Sequence, residues 1–400
     1  MTGKLQRRKR LKKGQGLLLL LFLVLAGGCW DRRELENLAV VLGMGVDFPA
    51  QGEGYEVSFQ IVRASQIQTP GSGVGGGGGG ESKPVWLLRS TGPTFFEAVR
   101  NATFQSSRRL FLSHNQVVII STEVAKKGIL PALDFLIRDP GPRNTQWLLL
   151  TPDDPGQLLD AAAGLERVSA LAITDLIQDY HLTSKIRPVK IGDYVEMMMQ
   201  KTSANTLPVI RIKENAGKKE LLLDGTGVLK DDRLVGFLNY KETRGLLWIL
   251  GEVKGGLITV DLPGGGKATC EIFTAATKVK VEARADQVHV KIEVKVETGL
   301  GAQTTYDDLS TTGQLKKLET LQGKAVEDEI RAALAKAKEY KADIFGFGEY
   351  LFKHDFRTWQ RLQKEWERYF VDAQVEIKVE AKVEGIGLVT RPANYQAPEE

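Results

Sequence analysis

QVHVKIEVKV, residues 287 to 296, decides how the second half of the chain folds. Val288, Val290, Ile292, Val294 and Val296 alternate with His289, Lys291, Glu293 and Lys295. Side chains of a strand point to opposite faces with period two, so this run has one buried face and one wet face. The same alternation recurs at Val375, Ile377, Val379, Ala381 and Val383, against Glu376, Lys378, Glu380 and Lys382, and begins again at Val279 and Val281. Strands that are wet on one side point to a single sheet, most simply antiparallel. A helix over about 313 to 340 carries Val326, Ile330, Leu334 and Ala337 as an apolar stripe that covers the sheet. Another helix, about 357 to 370, brings Trp359, Trp366 and Phe370, rings that read as core. Cys270 lies in the strand-like run KATCEIF, where it reads as a small buried residue rather than a nucleophile.

Working upstream, LLLDGTGVLKDDRLVGFLNYKETRGLLWILG, residues 221 to 251, predicts a hairpin turning at Lys230-Asp231-Asp232 and a short helix with Leu246, Leu247 and Leu250. Its DGTG, at Asp224, is only loosely like an acid-protease signature, and a turn or strand edge explains it better. Before it, strands are expected at 38–46, 55–62, 85–88, 116–120 and 146–150. A helix starting near Pro93 places Phe95, Val99 and Ala102 together, and a second is interrupted by Gly128 and Pro131, with Leu130, Leu133 and Ile137 on one face. Helical segments over roughly 156–180 and 190–201 follow. Such alternation predicts a mixed sheet with helices packed on it. The expected fold class is α+β (mixed α/β), multi-domain, its sheets flanked by helices and the C-terminal one largely antiparallel. Residues 29–215 form a mixed α/β region, open to division into two subdomains, 216–392 a C-terminal α+β domain, and 393–400 a tail. PGSGVGGGGGGESKP, residues 70 to 84, has the composition of a flexible loop.

The chain starts with a different signal. LLLLLFLVLAGGCWDRREL, residues 17 to 35, follows a stretch with seven Lys and Arg and no acid. A positive segment, ten apolar residues and then small residues is the layout of a secretory signal, and ten is about half of the ~20 needed to span a bilayer. Ala26-Gly27-Gly28-Cys29 resembles a bacterial lipobox, although that pattern more often has Leu where Ala26 stands. The likeness implies a signal peptide over 1–28, removed after a diacylglyceryl group is attached to Cys29, with the body held at the outer face of the cell membrane. Trp30 beside the anchor suits the headgroup level. Without the seven leading cations the chain has 47 basic against 50 acidic residues. That mildly acidic body argues against a nucleic-acid partner.

Catalytic patterns are scarce. His114, His181, His289 and His354 have no metal-ligand spacing, and neither CxxC nor HExxH occurs. His289 is expected to be exposed. The GxGxxG within the polyglycine run is not followed by a helix, and PGGGKA fails as a phosphate loop, with Asp261 in place of its first glycine and Ala268 in place of Ser or Thr. No enzyme, metal or cofactor is expected. Arg138, Asp139 and Arg143, around a Pro-Gly-Pro turn, are candidates for an ion-pair cluster or a partner-facing patch. Gly346 and Gly348 suit a tight turn that points Phe345 and Phe347 into a core.

Four blocks carry a family resemblance. CWDRRELENLAVVLGMGVD (29–47), RRLFLSHNQVVIISTEVAKKGILPALDFLIRDPGPR (108–143), GTGVLKDDRLVGFLNYKETRGLLWILGEVKGG (225–256) and ADIFGFGEYLFKHDFRTWQRLQKEWERYF (342–370) occur in series. Together they resemble the C subunit of bacterial spore nutrient germinant receptors, the Ger(x)C family, over essentially the whole chain after Cys29. The glycine run at 75–80 is a loop expansion relative to that pattern. The resemblance implies a non-enzymatic lipoprotein on the outer surface of the spore inner membrane, partnered by two integral membrane subunits. From pattern alone a solute-binding lipoprotein of a transporter is the alternative, with a cell-wall hydrolase third.

Overall fold

The structure, a computed structural model, describes residues 37–63, 84–161, 166–200, 204–284, 287–305 and 307–385. β1 (Leu38–Asp47), β2 (Tyr55–Val62) and β3 (Val85–Gly92) pair antiparallel in that order. α1 (Phe95–Asn101) follows, with the Thr94 hydroxyl accepting from the Glu97 N–H at its start. The short β4 (Arg109–Phe111) lies parallel to the first residues of β1, and β5 (Val117–Ser121) lies parallel to its later part. α2 (Thr122–Lys127) and α3 (Leu130–Arg138) are separate helices, because Gly128 at φ +129° breaks the first and Pro131 starts the second. β6 (Trp147–Thr151), α4 (Pro155–Asp160), α5 (Ser169–Gln178) and α6 (Ile191–Met198) come next. The long hairpin of β7 (Ala204–Asn215) and β8 (Lys218–Lys230), with β9 (Arg233–Leu238), completes the first sheet.

That sheet runs β3-β2-β1-β5-β6-β7-β8-β9, with β4 beside β1. The β1–β5, β5–β6 and β6–β7 pairs are parallel and the outer pairs antiparallel. Central parallel strands are buried on both faces and need continuous apolar sequence. β5 (VVIIS) shows it: Val118 and Ile120 belong to the same core as Leu133 and Phe95, while Val117 and Ile119 belong to a second core with Leu158 and Ile173.

Several expectations shift. On α3, Leu130 and Ile137 are 44% and 45% exposed, and the inward side is Ala132, Leu133, Phe135 and Leu136. The helix turns its ring toward α1, where Phe135 sits 5.4 Å from Phe95. The helical segments expected over 156–180 are α4 and α5, with Ala161 extended after α4. Asp224 lies within β8 rather than in a turn, at a place where only β7 pairs with the strand. Asp224 and Gly225 oppose Val209 of β7 as a bulge, with Gly225 at φ +77°, and β9 pairs with β8 only from Thr226 to Lys230, so the other side of the strand is an edge there, as expected. The boundary after 215 falls in the turn between β7 and β8, both of which belong to the first sheet.

α7 (Tyr240–Leu250) is framed by an Asn239/Glu242 capping box and by Gly251 at φ +70°. Then come β10 (Leu257–Asp261), β11 (Lys267–Arg284), β12 (Gln287–Gln303), α8 (Thr312–Glu339), α9 (Phe347–His354), α10 (Phe356–Leu362), α11 (Trp366–Val371) and β13 (Gln374–Gly385). The second sheet runs β10-β11-β12-β13. Its first two pairings are antiparallel, but β13 is parallel to β12, Val290 opposite Val375. Four helices between those strands return the chain to its starting end, the crossover a parallel pair requires. The alternating residues of β12 are buried beneath α8, while those of the edge strand β13 are half-buried, as is His289. The helix expected over 357–370 is broken into α10, a 3-10 turn and α11, and Trp359, Trp366 and Phe370 are buried as expected. Taken together, the molecule is a mixed α/β protein with two sheets flanked by helices.

Candidate functional site

Two buried polar clusters hold the C-terminal half together. Arg244 on α7 donates through Nε to Glu329 on α8 at 2.8 Å and through Nη2 to the other carboxylate oxygen, and its Nη1 donates to the Leu257 carbonyl at 2.7 Å. Trp248 Nε1 reaches the same Glu329 carboxylate at 2.8 Å. Gly245, between them, lets the helices meet: a Cβ there would stand 2.0 Å from the Glu329 carbonyl oxygen. The second cluster is Asp343, which accepts from the N–H groups of Phe345, Phe347 and Gly348 at 3.3, 3.1 and 2.8 Å and from Trp366 Nε1 at 3.1 Å. Burial pushes its carboxyl above the ordinary value, against the four donors that pull it down. Gly346, at φ +75°, lets Phe345 and Phe347 both turn inward, stacked 5.2 Å apart. Gly348 lies within α9 and contributes its N–H instead. A cleft of about 730 Å³ lies beside Trp359, Trp366 and Asp343, but the Trp366 indole N–H and the Asp343 carboxylate are already engaged with each other.

Cys270 is buried, its Sγ accepts from Gln322 Nε2 at 3.4 Å, and burial pushes its thiol up to about 11. A thiol so held stays protonated near neutral pH. Among the described residues no group of His, Cys, Asp and Glu has the arrangement of a metal site, and no helix is long and apolar enough to cross a membrane.

The surface feature nearest the candidate residues is a groove of about 420 Å³ between α1, β4 and the turn after α3. Phe96, Phe111 and Phe135 line it, with Arg100, Arg109 and Asp139 at its edges. Phe96 stacks on Phe135 at 5.3 Å, and the Arg100 guanidinium lies 5.0 Å over the Phe96 ring. Asp139 accepts from the Gly141 N–H at 2.8 Å and so shapes the turn. Arg138 pairs with Asp134 one helical turn back at 2.9 Å, and Arg143 is exposed. Arg138, Asp139 and Arg143 therefore share a turn without forming one ion-pair cluster among the described residues. Cys29 and Trp30 lie outside the described residues. Sequence reading passed over Phe96, Phe104, Arg100, Arg108 and Arg109. The signal available was TFFEAVRNATF, residues 94 to 104, since adjacent rings on a helix point about 100° apart and cannot both enter one core.

Comparison with known proteins covers both halves. Residues 31–212 match the family described as "Spore germination protein N-terminal domain", and residues 224–387 match "Spore germination B3/ GerAC like, C-terminal". The chain is 26% identical to Spore germination protein KC of Bacillus subtilis (strain 168) over 402 residues, covering 95% of this chain and 97% of the relative. Putative spore germination protein YfkR of the same organism is 25% identical over 385 residues, covering 95% and 98% respectively. Among solved structures, the crystal structure of the GerBC protein matches with a TM-score of 0.56 at 18% identity, covering 88% of this chain and all of that one. That likeness shows a shared fold.

Proposed function

Because the chain belongs to the Ger(x)C family of spore germination proteins, we propose that it is a lipid-anchored, non-enzymatic subunit of a nutrient germinant receptor, acting with two integral membrane subunits to start germination. The observation that carries this reading is the match of both family segments, in order, over nearly the whole chain after Cys29. A non-enzymatic role is supported by the use of the buried Arg244, Glu329 and Asp343 in holding helices together. Acyl chains on Cys29 would hold the body at the outer surface of the spore inner membrane, each buried CH₂ adding about 0.8 kcal/mol. Trp30 and the turn bearing Arg138, Asp139 and Arg143 are then the partner-facing groups. The transporter alternative calls for two doubly wound lobes, whereas the second sheet here is largely antiparallel. Spores carrying Cys29→Ala test the reading, with loss of optical density followed over a panel of amino acids and sugars. We expect one nutrient response to fail while a nutrient-independent trigger still works. A normal response to every nutrient, in this variant and in a deletion of the gene, would refute it.

A further inference from the structure

Phe104 is 87% exposed at the end of a 3-10 turn after α1, and Phe96, on α1 itself, is 49% exposed. A single exposed ring is ordinary. Here Arg100, Arg108 and Arg109 are all exposed in the same segment, and none forms a salt bridge among the described residues. Of the acids nearby, Asp134 pairs with Arg138 and Asp139 accepts from the Gly141 N–H, while Glu97 on α1 is exposed, so three exposed Arg stand against one exposed Glu. The segment thus presents apolar rings within a cationic rim.

Its place in the fold says what it faces. β4 pairs with the opening residues of β1, Leu38 opposite Arg109 and Val40 opposite Phe111. The chain leading from Cys29 therefore enters the fold beside Arg109. Eight residues separate Cys29 from Leu38, so the tether spans at most about 30 Å. A short tether keeps this end of the domain at high effective concentration over the surface that holds the anchor.

We propose that this end of the first domain rests on an anionic lipid surface, with Phe104 inserted at the headgroup level and Arg100, Arg108 and Arg109 against lipid phosphates. The proposal rests on lipid attachment at Cys29. Phenylalanine on a basic surface enters the headgroup boundary, and each cation adds attraction that fades within a Debye length. Docked this way, β1 rises away from the bilayer and the β1–β2 turn, with Gln51, stands at the far end.

The test uses the full lipidated chain in vesicles of phosphatidylcholine, with or without phosphatidylglycerol. Phe104→Cys carries an environment-sensitive fluorophore, and Gln51→Cys, exposed in the β1–β2 turn at the far end of β1 from Leu38, is the control. Cys29 is acylated and Cys270 is buried, so the introduced thiol is the reactive one. Nitroxide-bearing lipid should quench the label at position 104 several-fold more than the label at position 51. The difference should be larger in anionic vesicles and should fall with added salt or with Arg108→Glu and Arg109→Glu together, while flotation with vesicles is unchanged. Equal quenching at the two positions in floating protein would overturn the proposal and leave the anchor intact. Protein that fails to float would overturn the anchor itself, and the proposal with it.

Discussion

Glu329→Gln keeps the side-chain volume and removes the charge on which three N–H donors converge. The amide oxygen can still accept from Trp248 or Arg244, but its NH₂ then faces a donor. Arg244, 8% exposed, would keep only the Leu257 carbonyl as an undisturbed partner. Stranding one member of a buried ion pair costs about 3–5 kcal/mol, and the hydrogen bonds that survive return about 1 kcal/mol. A loss of about 3 kcal/mol should remain, which at a urea slope of about 3 kcal/mol/M lowers the midpoint by about 1 M. The assay is urea unfolding followed by far-ultraviolet circular dichroism. Adding Arg244→Met removes the stranded cation, so the double variant should recover most of the loss, with a coupling energy of about 2 kcal/mol. If Glu329→Gln stays within about 0.5 kcal/mol of the parent, or if the two changes simply add, the pair does not hold α7 on α8 and the reasoning fails.

Gly245→Ala probes the same crossing sterically. Its Cβ would meet the Glu329 carbonyl at 2.0 Å and the Ala333 methyl at 2.8 Å, so a loss of about 3 kcal/mol is expected in the same urea assay, and an unchanged midpoint would show that the helices can part freely. Asp154 gives a pH dependence. Burial raises its carboxyl, but the Arg89 hydrogen bonds and charge, with the Gly156 and Gln157 N–H groups, outweigh that and hold it below the ordinary value. A folded value below the unfolded one, about 3.9, means stability that is present above that pH and lost as pH falls through the folded value. Asp154→Asn should flatten this acid limb, measured as the thermal midpoint between about pH 5 and 2; an identical slope in the variant would remove Arg89–Asp154 as its source.

Much of this was legible because side-chain periodicity is local. The run from Val288 to Val296 is buried at each alternate position, and the stripe Val326, Ile330, Leu334 and Ala337 does face the sheet. Trp359, Trp366, Phe370 and Cys270 are core as expected. Illegible were facts that depend on direction in space. Alternation reads the same for either strand direction, so only the crossover through α8 to α11 decided that β13 runs parallel to β12. The stripe on α3 was misplaced for a similar reason: Leu133 belongs to two overlapping faces, and packing of Phe135 on Phe95 chose between them.

Sequence alone determined the wet and dry faces of the strands and the family, because each rests on residues close together or on blocks in order. Tertiary structure decided which distant groups meet. Arg244 and Glu329 are 85 residues apart, and nothing local marks them as partners. Phe95 and Phe96 are neighbours of one type, yet one is buried and the other half exposed, because a helix can offer only one side to a core.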